Sequence, residues 1–173
     1  WLREFLIPID DPKAGKRNYC WDFLPSYWTV IPEMYDRDKW TQTSVMKNAG
    51  VLDHYRRVAN GLDEILAEHG YIREGNFYRV ERSNKDELAF FCHFGVTCVM
   101  LSHLTGTSPM IYWHHFVAAP SSLTTLVTEE REEGIATFRC MRFGDVAHLY
   151  AAGEEPSFSA RFEEVFGDIV EWG

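Results

Sequence analysis

The run Glu87-Leu-Ala-Phe-Phe-Cys-His-Phe-Gly-Val-Thr-Cys-Val-Met-Leu-Ser-His-Leu-Thr-Gly106 constrains this chain more than any other stretch. Residues 88–92 are apolar without polar alternation, which predicts a buried strand with neighbours on both edges and cover on both faces, the pattern of a parallel sheet. Residues 96–104 predict a helix, closed by Gly106 with Pro109 beyond it. His93 stands at the junction and Gly95 follows two residues later. A strand that ends at a helix N-terminus presents unpaired backbone N–H groups carrying partial positive charge. A histidine there, beside a glycine that lets an anion approach, suits a phosphoryl group.

The rest of the pattern is mixed. Residues 1–43 hold Tyr19, Trp21, Phe23, Tyr27, Trp28, Tyr35 and Trp40, with prolines at 8, 12, 25 and 32 interrupting any long element. So many large rings predict a folded excursion that covers something, such as the roof of a pocket, over residues 6–43. Lys16, Arg17, Arg37 and Lys39 are interleaved with the rings, which suits an organic phosphate ester: rings for the organic part, cations for the phosphate. Residues 44–69 predict one long helix, because Val51, Leu52, Tyr55, Val58, Ala59, Leu62, Ile65 and Leu66 share a face at the 3.6-residue period, and Gly70 is a natural stop. Residues 77–80 predict a short strand. Residues 122–127 and 135–143 predict an antiparallel hairpin around the acidic stretch 129–134, a solvated tip, and residues 158–166 a short final helix. Helices and strands alternating around a buried strand place the chain in the α/β class, as a single domain over residues 1–173.

Composition narrows the partners. The hydrophobic share of 46% and aromatic share of 15% are those of a globular chain with a real core. A net charge of -9 argues against a nucleic-acid backbone as the main partner, yet leaves room for a local positive site that binds a small phosphate ester. No apolar run approaches the roughly 20 residues that span a bilayer, so no membrane partner is expected. The four cysteines, Cys20, Cys92, Cys98 and Cys140, form no CxxC pair. They predict a reduced, cytoplasmic chain with no zinc site. The chain opens on Trp1 in mid-pattern, which predicts a longer parent sequence.

Taken in order, these pieces resemble the C-terminal half of the histidine phosphatase (phosphoglycerate mutase-like) superfamily. The resemblance is carried by Cys92-His93-Phe94-Gly95, the following helix to Leu104-Thr105-Gly106, Pro120-Ser121-Ser122-Leu123-Thr124, and Asp145-Val146-Ala147-His148-Leu149. The opening Trp1-Leu2-Arg3-Glu4-Phe5 is similar to the family's Leu-x-Glu segment, which precedes a variable cap. The resemblance implies a three-layer phosphoglycerate mutase-like fold with a mostly parallel central sheet, its N-terminal strand and helix missing from this chain. It implies a phosphomonoester phosphatase that works through a phosphohistidine intermediate without metal or organic cofactor. His93 is the histidine that donates to the phosphoryl oxygens, and Glu4 the acid that protonates the leaving oxygen. Phe94 and Gly95 contribute backbone N–H groups, and Tyr19 and Trp21 contact the organic part of the substrate.

Two departures stand out. No Arg-His motif occurs in these 173 residues, so the attacking histidine of the family is expected upstream of residue 1. Cys92 and Phe94 replace the usual serine and glycine around His93, and the Phe94 ring narrows the expected pocket. The alternative reading is a catalytically silent phosphate-ligand binding or interaction protein of the same fold. Among the other histidines, His103 reads as a surface or packing residue, His114 and His115 as loop packing, and His148 as a structural hydrogen-bonding residue. The cap aromatics are also candidates for the contact of a homodimer.

Overall fold

The computed structural model describes residues 6–7 and 18–157. Within them lie two compact units. The first takes in the described residues up to Phe116 together with Glu129–Thr137; the second takes in Val117–Thr128 and the described residues from Phe138 on.

The first unit begins with a two-residue ladder, β1 (Leu6–Ile7) paired antiparallel with β2 (Asn18–Tyr19). Short turns of helix follow: α1 (Pro25–Trp28), then 3₁₀ turns at Pro32–Tyr35 and Trp40–Gln42. Proline opens the first two of these, where a missing N–H costs nothing. The helix expected over 44–69 is two, α2 (Ser44–Asn48) and α3 (Val51–Glu68). Gly50 separates them with φ of 66°, a left-handed conformation that ends one helix and starts the next in a new direction. On α3 the buried residues are Val51, Ala59, Leu62 and Leu66, all from the apolar face legible in the sequence. Gly70, with φ of 90°, turns the chain into β3 (Tyr71–Glu74) and β4 (Phe77–Val80), an antiparallel pair in register Tyr71↔Val80 and Glu74↔Phe77. After a coil come α4 (Phe94–Thr105), stopped by Gly106 at φ 68°, and α5 (Pro109–His115), whose first turn is capped by the Ser108 hydroxyl accepting from the Met110 amide.

The aromatic-rich segment is the core of this unit. Trp28, Trp40 and Trp113 are almost wholly buried with Met34, Met46, Val51, Cys20, Cys98, Val99 and Met110. Trp40 meets Trp113 edge-on at 5.6 Å and Tyr55 at 5.4 Å. Burying one tryptophan contributes up to about 5 kcal/mol of transfer free energy, which explains why a proline-broken segment with little regular hydrogen bonding stays folded. The Ser108 hydroxyl donates to the Met34 carbonyl at 2.5 Å and ties the 3₁₀ turn to the start of α5.

The expected hairpin is present and longer than its apolar pattern suggested: β5 (Leu123–Glu132) and β6 (Ile135–Asp145) run from one unit into the other around Glu133-Gly134. The acidic stretch is therefore mostly strand, and it is not wholly solvated. Glu130 accepts from the Tyr71 hydroxyl at 3.0 Å and from the Ser83 hydroxyl at 2.6 Å. In the second unit the Gly144 amide donates to Thr124 Oγ1 at 3.2 Å, and Asp145 Oδ1 accepts from the Ala147 amide to start α6 (Ala147–Ala151). Leu123, Met141 and Tyr150 of this unit are exposed.

The expectation of a mostly parallel central sheet is overturned. The sheet is four-stranded and antiparallel, in the order β3-β4-β6-β5, with Tyr78↔Ala136 and Arg79↔Ile135 joining β4 to β6. Residues 88–92, the segment read as its buried parallel strand, form neither strand nor helix and are exposed, Phe91 completely. The physical reason is one of partners. A strand apolar on both faces needs ladders on both edges and layers above and below. No backbone hydrogen bond joins residues 88–92 to another described residue, so no described strand holds them in a sheet. The final helix expected over 158–166 lies outside the described residues.

Candidate functional site at the start of helix α4

His93 is the N-cap of α4, with extended backbone (φ -95°, ψ 160°) and no hydrogen bond from its own side chain. Its carbonyl accepts from the amides of Val96 (3.1 Å) and Thr97 (3.0 Å) and from Thr97 Oγ1 (3.2 Å). Cys92 Sγ and Thr97 Oγ1 lie 3.2 Å apart. Three contacts thus fix the backbone of His93 while its imidazole is exposed and makes no hydrogen bond with a described residue. The amides of Phe94 and Gly95 likewise find no partner among the described residues, as expected of a first helical turn.

Gly95 is buried and its absence of a side chain is used. A Cβ placed on it would come 2.5 Å from Cζ3 of Trp21. The Trp21 ring stacks on Tyr19, with centroids 4.7 Å apart and planes within 3°, and leans on Trp113 at 6.1 Å. Trp113 donates its indole N–H to the Gly95 carbonyl at 3.1 Å. The turn that carries His93 is thereby clamped between two indoles. The structure thus brings together Tyr19, Trp21 and Gly95, with His93 and Phe94 on the same turn. Glu4, the expected acid, lies outside the described residues, as do Lys16 and Arg17. The other two cations read beside the rings are already engaged, Arg37 with Asp38 at 3.5 Å and Lys39 with Asp36 at 3.2 Å. Two participants were not singled out from the sequence. Trp113 seats the turn, and its spacing from Gly95 carries no motif. Asp22, beside Trp21, accepts from the Tyr19 amide at 3.0 Å, and burial raises its carboxyl above the ordinary range.

A second polar cluster joins four elements. His103 Nε2 of α4 is 2.8 Å from Asp63 Oδ2 of α3; the Tyr78 hydroxyl of β4 donates to Asp63 Oδ1 at 2.7 Å; and Arg73 of β3 donates to that hydroxyl at 2.9 Å. Burial pushes the Asp63 carboxyl up, but the hydrogen bonds from His103 and Tyr78 outweigh it and hold the group below the usual range. The Tyr78 hydroxyl is driven up by burial and by the carboxylate it serves. With a donor on each carboxylate oxygen, this cluster ties α3 to α4 and to β4.

His114 is a third case. It lies between Trp28 (4.7 Å) and Phe23 (6.3 Å), with Nδ1 2.9 Å from the Met110 carbonyl, and its Nε2 is buried with no hydrogen-bond partner. Burial lowers its pKa to about 4, so the ring is neutral. No cluster of metal-ligating side chains occurs among the described residues. Comparison with family models, with curated proteins and with solved structures finds no match to this chain.

Proposed function

We propose that this chain serves phosphomonoester chemistry of the histidine phosphatase type, with His93 and the first turn of α4 as the phosphate-binding element. The observation that supports the reading is the clamped turn itself: an exposed imidazole with no hydrogen-bond partner beside two unpartnered amides, at the positive end of a twelve-residue helix. Stacked Tyr19 and Trp21, packed on Gly95, supply an aromatic wall for the organic part of the ester.

In this reading an attacking histidine outside these 173 residues forms a P–N bond as the ester P–O bond breaks. A proton passes to the leaving oxygen from Glu4; water then cleaves the P–N bond, giving its proton to the Glu4 carboxylate as inorganic phosphate forms. His93 donates to the phosphoryl oxygens in both steps, where spreading charge is most of what a protein supplies. No metal or organic cofactor takes part. The chain works in the cytoplasm, a reading supported by four free thiols and by described helices none of which is long and apolar enough to cross a membrane. A second reading, phosphate-ligand binding without turnover, is favoured by the lack of any Arg-His motif in the sequence.

The test is a titration with inorganic phosphate followed by amide NMR, run beside a metal-free aryl phosphate hydrolysis assay. Saturable shifts at Phe94 and Gly95 that vanish in His93→Ala support the phosphate site. Hydrolysis with such shifts supports the phosphatase, and shifts without hydrolysis support the silent binder. No shift at these amides removes both.

A further inference from the structure

Residues 87–93 combine features that a monomer of this unit leaves unused. The segment is held at both ends. Upstream, His69 Nδ1 meets Asp86 Oδ2 at 2.7 Å, and the Asn84 side chain donates to the His69 carbonyl at 2.6 Å. Downstream, His93 is fixed as the cap of α4. Between these anchors Leu88, Phe90 and Phe91 are exposed, Phe91 at 100%. The backbone of residues 88–92 makes no hydrogen bond with a described residue. An anchored, apolar stretch whose row of backbone donors and acceptors is unpaired among the described residues is a template for another strand.

We propose that the occupant is the same segment of a second copy of this chain, paired antiparallel about a two-fold axis through Phe90. That register is self-complementary at every position. Leu88 lies opposite Cys92 and Phe90 opposite Phe90 on one face. On the other face Ala89 lies opposite Phe91, a small residue against a large one, and Glu87 lies opposite His93, a carboxylate against an imidazole. The axis repeats each unlike pair, so the Glu87–His93 pair occurs twice. A shift of the axis to residue 89 or 91 would lose this pairing: Glu87 would then face Phe91 or Gly95, and two large rings would face residues of a different size. The carboxylate–imidazole contact and the size match together select the one register.

The consequence for His93 is that a carboxylate from the second copy sits beside it. The proposal does not rest on the phosphate reading: it sets a carboxylate against the His93 imidazole where that reading sets a phosphate, so the two would compete for the ring. Sedimentation velocity over a dilution series of the whole chain tests it. The wild type is expected to be a dimer, and Phe91→Asp a monomer with unchanged far-ultraviolet circular dichroism, since Phe91 touches nothing that folding requires. Glu87→Lys should weaken association about tenfold through the two lost pairs. Exchanging the charges in Glu87→Lys with His93→Glu should restore it. A monomeric wild type, which would leave the segment to a strand of another protein, overturns the proposal. So does a dimer indifferent to Phe91→Asp, or a charge exchange that restores nothing.

Discussion

Acid should loosen the aromatic core of the first unit through one residue, His114. Its ring is packed against Trp28 and Phe23, and burial lowers its pKa to about 4, against 6.5 for a free histidine. A group whose folded pKa lies below its unfolded pKa leaves the unfolded chain holding more protons between the two values, so stability rises with pH across that window. Its contribution is intact above 6.5 and is lost progressively as pH falls towards 4. At about 1.4 kcal/mol for each pH unit the loss is about 2 kcal/mol by pH 5 and about 3 kcal/mol in full, a large part of a typical domain's stability. Protonation is resisted because Nε2 would become a buried donor with no acceptor. Urea denaturation read by tryptophan fluorescence at about pH 7 and about pH 5 measures the loss, since Trp28 reports from 4.7 Å away. The control is His114→Phe, which keeps an aromatic ring between Trp28 and Phe23. It gives up only the Nδ1 bond to the Met110 carbonyl, worth about 1 kcal/mol. The variant should be slightly less stable than wild type at neutral pH and equal or more stable at about pH 5. Parallel pH dependences in the two proteins would refute the reasoning, because every other titrating group is common to both.

Three further outcomes follow from the same geometry. Asp63→Asn should cost about 1–3 kcal/mol in denaturant unfolding, by removing the charged acceptor shared by His103 and Tyr78; a change within error would mean that the cluster is idle. Gly95→Ala forces a methyl group to within 2.5 Å of the Trp21 ring and should destabilise by about 1–3 kcal/mol while shifting tryptophan emission; unchanged emission would place Trp21 elsewhere. Trp113→Phe should cost more than its lost area, because the indole N–H bond to the Gly95 carbonyl is lost with it; a midpoint equal to that of a surface aromatic change would deny the clamp on the α4 turn.

The sequence by itself determined the local elements whose signals are short-range. The apolar face of α3, the stop at Gly70, the helix that starts after His93 and ends at Gly106, the short strand at 77–80 and the hairpin at 123–145 each follow from periodicity and turn chemistry within a few residues. It also determined that His93 caps a helix, because capping depends on the immediate neighbours. The break between α2 and α3 was less legible, since an isolated glycine within a helical pattern can be tolerated, whereas Gly50 adopts a left-handed conformation. Only tertiary structure decided what pairs with what. Residues 88–92 read as a buried parallel strand, and they are exposed because strand formation needs a neighbour that a hydropathy pattern cannot supply. Residues 6–43 read as a cover over a pocket, yet Trp28 and Trp40 within them lie in the core, and the Trp40 ring finds Trp113 from more than seventy residues away in the chain. Trp113 and Asp63 were hidden for a like reason, since their importance lies in a carbonyl and side chains brought from other elements. Periodicity is a property of one segment, while burial, pairing and the seating of a turn are properties of two, and the second partner is set by packing.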